Sequence, residues 1–141
     1  MNDIFTPLVG QEKSVRALRE YARHPVHAYL VSGPSGAPVA ETARRLSAAL
    51  QCPEHGCGAC DTCRRVLEGN EPDVHVAQRT GASWSVEDIH EIERVARRRP
   101  LSVRFNIVVL EDVELTVSSG SPSAPAPVSY THLTLPTIYS V

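Results

Sequence analysis

Cys52, Cys57, Cys60 and Cys63 are the only thiols of the chain and fall within twelve residues, in the spacing Cys-x4-Cys-x2-Cys-x2-Cys. Four thiolates close a tetrahedral zinc shell and leave no position for water, so the chemistry on offer is structural rather than catalytic. In a reducing compartment such crowding favours a metal over two disulfides. Gly56 and Gly58 allow the tight turns that bring neighbouring thiolates onto one ion. Iron–sulfur ligation uses cysteine at similar spacing, and a redox dithiol is a third reading, though nothing nearby resembles a thioredoxin-type site. Zinc is preferred because one small loop between helices suits an ion better than a cluster. His55 lies inside the segment, but four thiolates already complete the shell, so an exposed loop histidine is expected.

A second group of residues marks where phosphate chemistry would lie and is missing. Gly33, Pro34, Ser35, Gly36, Ala37, Pro38, Val39 and Ala40 follow an apolar run and precede a helical pattern, the place of a phosphate loop G-x-x-x-x-G-K-[ST]. In a working loop the second glycine lets amides approach phosphate, the lysine reaches the β- and γ-phosphates and the hydroxyl holds magnesium. Those three places hold Pro38, Val39 and Ala40. Proline removes a donor and restricts the backbone, valine has no charge and alanine has no oxygen. Lys13 is the only lysine of the chain, and Arg44 lies about a helical turn too far along to replace it. ATP is therefore not expected as a cofactor, and no intrinsic ATPase activity is expected. A plain strand-to-helix turn, with no nucleotide ancestry, is the alternative.

These residues need elements to position them. Val15, Leu18 and Ala22 recur at helical spacing from Lys13 to about Arg23, stopped by His24-Pro25. His27 to Val31 reads as a buried strand running into the loop. Pro38 suits the first turn of a helix burying Val39, Ala43, Leu46 and Leu50. Asp61 to Leu67 predicts a short helix closed by Gly69-Asn70, and Asp73 to Ala77 a strand. Ser85-x-x-Asp88 opens a helix in the manner of a capping box, carrying Val86, Ile89, Ile92, Val95 and Ala96 and ended by Pro100. Asn106 to Leu110 has the continuous apolar run of a strand buried on both faces, followed by Glu111 and Asp112. This order predicts an α/β fold with a parallel sheet and right-handed crossovers.

The 141 residues are 42% hydrophobic and 21% charged with a net charge of -2, ordinary for a globular protein and without a global basic field for nucleic acid. No stretch approaches the roughly 20 apolar residues of a membrane span and no leader pattern opens the chain, so a cytoplasmic protein with no membrane partner is expected. Residues 1–114 read as one incomplete domain with a metal module at 52–72. Residues 115–141 hold no Asp, Glu, Lys or Arg. They read either as a disordered Ser/Pro-rich tail or, since Pro127 to Thr137 is similar to translated sequencing-adapter read-through, as an artefact.

Leu8-Val9-Gly10-Gln11-Glu12, His27-Ala28-Tyr29-Leu30 before Gly33-Pro34, the cysteine insertion, Asn70-Glu71-Pro72-Asp73-Val74 and Val108-Val109-Leu110-Glu111-Asp112 together resemble the clamp-loader subunits of bacterial DNA polymerase III, over about residues 4–114. The resemblance implies a P-loop NTPase-like (AAA+) domain with a zinc insertion. Within that family the gamma/tau motor has an intact phosphate loop and the delta-prime subunit commonly a degenerate one, so Pro38, Val39 and Ala40 favour an amino-terminal delta-prime fragment. The implied partners are the gamma/tau and delta subunits and, through the complex, the sliding clamp and primed DNA. Glu111 and Asp112 occupy the place of the acidic pair that positions magnesium and water in active relatives, a role expected to be vestigial here.

The chain departs from the family in lacking a Ser-Arg-Cys motif, whose arginine would complete a neighbour's ATP site, and a recognisable lid and collar. A gamma/tau-like ATP-binding subunit and a small zinc module that binds nucleic acid or protein are the alternatives. Arg97-Arg98-Arg99 is first a cationic last turn that complements the helix dipole, with DNA or subunit contact as the sharper reading. Trp84 is expected as a buried loop aromatic before a partner anchor.

Overall fold

The computed structural model describes residues 3–8, 10–34, 36–101, 104–112 and 137–140. Among these the chain runs α1 (Glu12–Arg23), β1 (Ala28–Val31), α2 (Val39–Gln51), α3 (Asp61–Glu68), β2 (Val74–Val76), α4 (Val86–Ala96), β3 (Ile107–Glu111) and β4 (Thr137–Ser140). The strands are parallel and ordered β1-β4-β3-β2.

β3 organises the layers because successive side chains of a strand point to opposite faces. Ile107 and Val109 join the core formed with α1, α2 and α3, while Val108 and Leu110 join the core under α4. Each such buried side chain contributes on the order of 1.5–3 kcal/mol. α1 supplies Val15, Leu18 and Ala22 to the first core, and α2 supplies Ala43, Leu46 and Leu50. Val39, expected inside, is only half-buried at the first turn of α2.

α3 ends where expected, with Gly69 in the left-handed conformation at φ 79°, which glycine adopts without steric cost. α4 opens with a full capping box: the Ser85 hydroxyl accepts from the Asp88 amide at 3.1 Å, and the Asp88 carboxylate accepts from the Ser85 amide at 3.0 Å. Val86 leaves the expected apolar stripe and is 63% exposed. The helix ends at Ala96, before Pro100. Its last turn is terminated by Asn106, whose side-chain amide donates to the carbonyls of Val95 at 2.7 Å and Arg98 at 3.0 Å.

β1 is not buried throughout. It forms one edge of the sheet, so Tyr29 faces the core while Leu30 is 69% exposed. A strand beyond Glu114 was not expected either. β4 lies between β1 and β3, with Ile138 opposite both Tyr29 and Val109. The reason is backbone satisfaction: separated strands leave N–H and C=O groups to be paired, and Thr137-Ile138-Tyr139 is rich in strand-forming residues. The rest of the uncharged segment, residues 115–136, lies outside the described residues, as do Val9 and Ser35.

Candidate metal centre and the closed loop

The four sulfur atoms of Cys52, Cys57, Cys60 and Cys63 lie within 4.8 Å of one another. Cys52 caps the end of α2, Cys60 is the N-cap of α3 and Cys63 stands in its first turn, so two helices converge on the site. Cys52 Sγ is 3.7 Å from Cys57 Sγ and 3.7 Å from Cys60 Sγ. A tetrahedral ion with zinc–sulfur bonds of about 2.3 Å separates its ligand sulfurs by about 3.8 Å. The spacing fits one ion. A polynuclear cluster, which distributes its cysteines over several irons, would spread the sulfurs further.

Backbone amides orient the thiolates. Glu54 N–H donates to Cys52 Sγ at 3.4 Å, Ala59 N–H to Cys57 Sγ at 3.5 Å and Cys63 N–H to Cys60 Sγ at 3.4 Å. Burial pushes the Cys52 thiol up, but the amides of Cys57, Gly56 and Glu54 outweigh it and hold it at about 7. Burial first, then the neighbouring Cys60 and Cys52 sulfurs, push Cys63 well above the ordinary thiol range, against the pull of the Gly58 amide. Four thiolates this close would need a cation between them, and the arrangement is compatible with a metal ion in that place.

The loop carrying the ligands is fixed from outside. Ile4 N–H donates to the Gly56 carbonyl at 3.0 Å, and Arg45 donates to the Ile4 carbonyl at 2.7 Å. Gly56, at φ 109°, has no room for a side chain: a Cβ there would stand 2.8 Å from Ile4 Cγ2. His55 is exposed and outside the thiolate cluster, its Nδ1 3.2 Å from the Ala22 carbonyl in the last turn of α1. Buried Ile4 thus clamps the cysteine loop, a role with no sequence signal beyond an apolar residue near the start.

The loop before α2 is closed on itself. Ala37 N–H donates to the Pro34 carbonyl at 3.0 Å and Val39 N–H to the Ala37 carbonyl at 2.8 Å. Pro38 has no N–H, so three consecutive positions offer a phosphate nothing. The turn is tight: a Cβ on Gly33 would meet Ala37 Cβ at 2.8 Å, and Gly36 takes φ 90°. Beside it lies a cavity of about 450 Å³, lined by residues such as Gln11, Tyr21, Leu30, Pro34 and Val39. Among the described residues no Lys, Arg, Asp or Glu lines it.

The acidic pair is divided. Glu111 shares a separate cleft of about 380 Å³ with Ala40 and Arg44. Asp112, at φ 55°, pairs with Arg79 at 3.5 Å. Trp84, buried as expected, fixes this turn by donating its indole N–H to the carbonyls of Glu111 at 3.1 Å and Asp112 at 3.3 Å. Ala40 and Glu111 therefore line one cleft, while Pro38 and Val39 border the other cavity.

A family profile described as "DNA polymerase III, delta subunit" matches residues 10–121. The DNA polymerase III subunit tau/gamma of Haemophilus influenzae is 32% identical over 79% of this chain and 17% of its own length. Subunit tau of Escherichia coli is 32% identical over 79% of this chain and 18% of its own length. Subunit delta' of Bacillus subtilis is 26% identical over 69% of this chain and 30% of its own length. The chain thus spans under a fifth of the tau-type relatives and less than a third of the delta' relative. Among the described residues no helix is long and apolar enough to cross a membrane.

Proposed function

This chain belongs to the DNA polymerase III delta-subunit family, and from that premise we propose that it is a delta-prime-type, non-ATPase subunit of the clamp loader. In this reading it assembles with gamma/tau and delta subunits and assists placement of the sliding clamp on primed DNA. The observation that carries the reading is the loop before α2: its amides at Ala37 and Val39 are spent inside the turn and Pro38 has none. The uncharged cavity beside it supports the same conclusion, because a triphosphate needs cations and oriented donors. In the cleft of Glu111 the place of the magnesium-holding hydroxyl is taken by Ala40, which has no oxygen on its side chain.

Zinc held by Cys52, Cys57, Cys60 and Cys63 is the structural cofactor of this reading. When bound, it ties the end of α2 to the start of α3 and supplies no step of chemistry. The chain's own residues do the rest: the amides of Glu54, Ala59 and Cys63 orient the thiolates, and Gly56 seats the loop on Ile4.

The 32% identity to tau-type relatives favours one second reading, an ATP-binding gamma/tau-like subunit. Co-elution of the purified chain with gamma/tau and delta subunits of its own source, with and without magnesium-ATP, tests the assignment. A delta-prime-type subunit joins the assembly without occupying a nucleotide site itself; failure to associate under either condition rejects the loader role.

A further inference from the structure

A cavity of about 570 Å³ opens beside the cysteine loop, lined by Asp3, Arg19, Arg23, Glu54, His55 and Cys57 among others. Among the described residues its lining includes none of the other three cysteines. Cys52 and Cys63 are buried, and Cys60, partly exposed like Cys57, does not border the cavity. A molecule that enters it therefore meets Cys57 before any other thiol. The formal charges of the lining balance, Arg19 and Arg23 against Asp3 and Glu54, and Arg19 is held by Asp3 at 2.6 Å. A lining without one dominant sign suits a small uncharged reagent.

A second sulfur stands ready behind the first. Cys57 Sγ lies 3.7 Å from Cys52 Sγ, and Cys52 is sheltered at the end of α2. An accessible thiolate beside a sheltered one is the arrangement of an attacked and a resolving cysteine.

We infer that Cys57 is the site at which hydrogen peroxide oxidises this chain, with Cys52 as the resolving thiol. The inference rests on the reading of the four cysteines as a zinc site. The Cys57 thiolate attacks one peroxide oxygen, the O–O bond breaks and hydroxide leaves, giving a sulfenic acid. The Cys52 thiolate then attacks the Cys57 sulfur, an S–S bond forms and the sulfenic oxygen leaves as a second hydroxide. The two thiolates lose two electrons and the peroxide gains them. Cys60 and Cys63 remain, too few donors to close a four-coordinate shell.

Oxidation also reaches the start of the chain. Gly56 and Gly58 flank Cys57: the Gly56 carbonyl accepts from Ile4 N–H at 3.0 Å, and a Cβ on Gly58 would stand 3.3 Å from the Ile4 nitrogen. Drawing Cys57 to bonding distance of Cys52 pulls on both contacts and loosens the seat of Ile4.

The test treats the zinc-loaded full chain with hydrogen peroxide after its zinc content has been measured. Zinc release is read with a chromogenic chelator, sulfenic acid is trapped with dimedone, and free thiols are labelled with iodoacetamide. Cleavage after Glu54 and before Asp61 separates Cys52, the pair Cys57 and Cys60, and Cys63, and fragmentation in the mass spectrometer resolves the pair. The expected result is dimedone on Cys57, zinc release in step with a Cys52–Cys57 disulfide, and renewed zinc binding after dithiothreitol. Arg23→Trp narrows the cavity from an exposed position on α1 and should slow release severalfold, with zinc content and melting temperature unchanged. Arg16→Trp, exposed on the same helix outside the lining, should release zinc at the wild-type rate. A zinc-bound chain that keeps its metal in peroxide, first trapping at Cys60, or equal rates in the two tryptophan variants would overturn the inference alone. A chain that binds no zinc would overturn the metal reading and the inference with it.

Discussion

Gln51 and Phe105 exchange two hydrogen bonds across 54 residues of sequence: Gln51 Nε2 donates to the Phe105 carbonyl at 2.5 Å and Phe105 N–H donates to Gln51 Oε1 at 3.0 Å. The glutamine imitates a neighbouring strand at the entrance to β3, and it does so one residue before the thiolate of Cys52. The metal loop and the central strand are thereby held by one side chain.

Gln51→Ala leaves the Phe105 amide and carbonyl without this partner inside the protein. Each such group costs about 1–3 kcal/mol, so a loss of about 2–6 kcal/mol is expected by urea unfolding of the zinc-bound chain. A change below about 0.5 kcal/mol would show that the pair is dispensable.

Substitutions at the cysteine loop should distinguish the four thiolates from their histidine neighbour. The chain is expected to bind one zinc per molecule by atomic absorption. Cys63→Ser should lose most of that zinc and melt at a markedly lower temperature, since metal binding is coupled to folding. His55→Ala should keep the stoichiometry and cost only about 0.5–1.5 kcal/mol, the worth of its contact with the Ala22 carbonyl. Loss of zinc in the histidine variant would place His55 in the shell and displace a cysteine from it.

Acid should weaken the start of α4. The Ser85 amide outweighs burial and, with the Thr80 amide and the hydroxyls of Ser85 and Thr80, holds the Asp88 carboxyl below its ordinary range. Because the folded value is depressed, its stabilisation is complete above the ordinary carboxylate value and disappears as pH falls through the folded one. Asp88→Ala should therefore cost about 1–2 kcal/mol at neutral pH, and the gap from wild type should close in acid. Stability curves against pH for the two proteins, running parallel, would contradict the capping role.

Local signals were legible in the sequence because short-range physics sets them. Val15, Leu18 and Ala22 recur with the period of a helix, Ser85 and Asp88 are three residues apart, and the cysteine spacing alone brings four sulfurs together. Contacts made at long range had no such signature. Nothing in the composition of Gln51, Asp73 or Asn106 says that each is buried against backbone far along the chain. The exposure of Leu30 follows from the edge position of β1, which depends on strand order, and β4 is separated from the strands it joins by a long connection. At the phosphate loop, the sequence places Pro38, Val39 and Ala40 where a glycine, a lysine and a hydroxyl would stand, whereas the division of Ala40 and Glu111 from Pro38 and Val39 between two cavities needed the folded backbone.

The central claim is that the loop before α2 cannot hold a nucleotide. Calorimetric titration of magnesium-ATP into the zinc-bound chain measures it directly. The closed turn and uncharged cavity predict no saturable heat up to about millimolar nucleotide, a ceiling of about 4 kcal/mol of binding free energy. Magnesium-dependent binding at about micromolar concentration would contradict the account and make the chain a gamma/tau-like subunit.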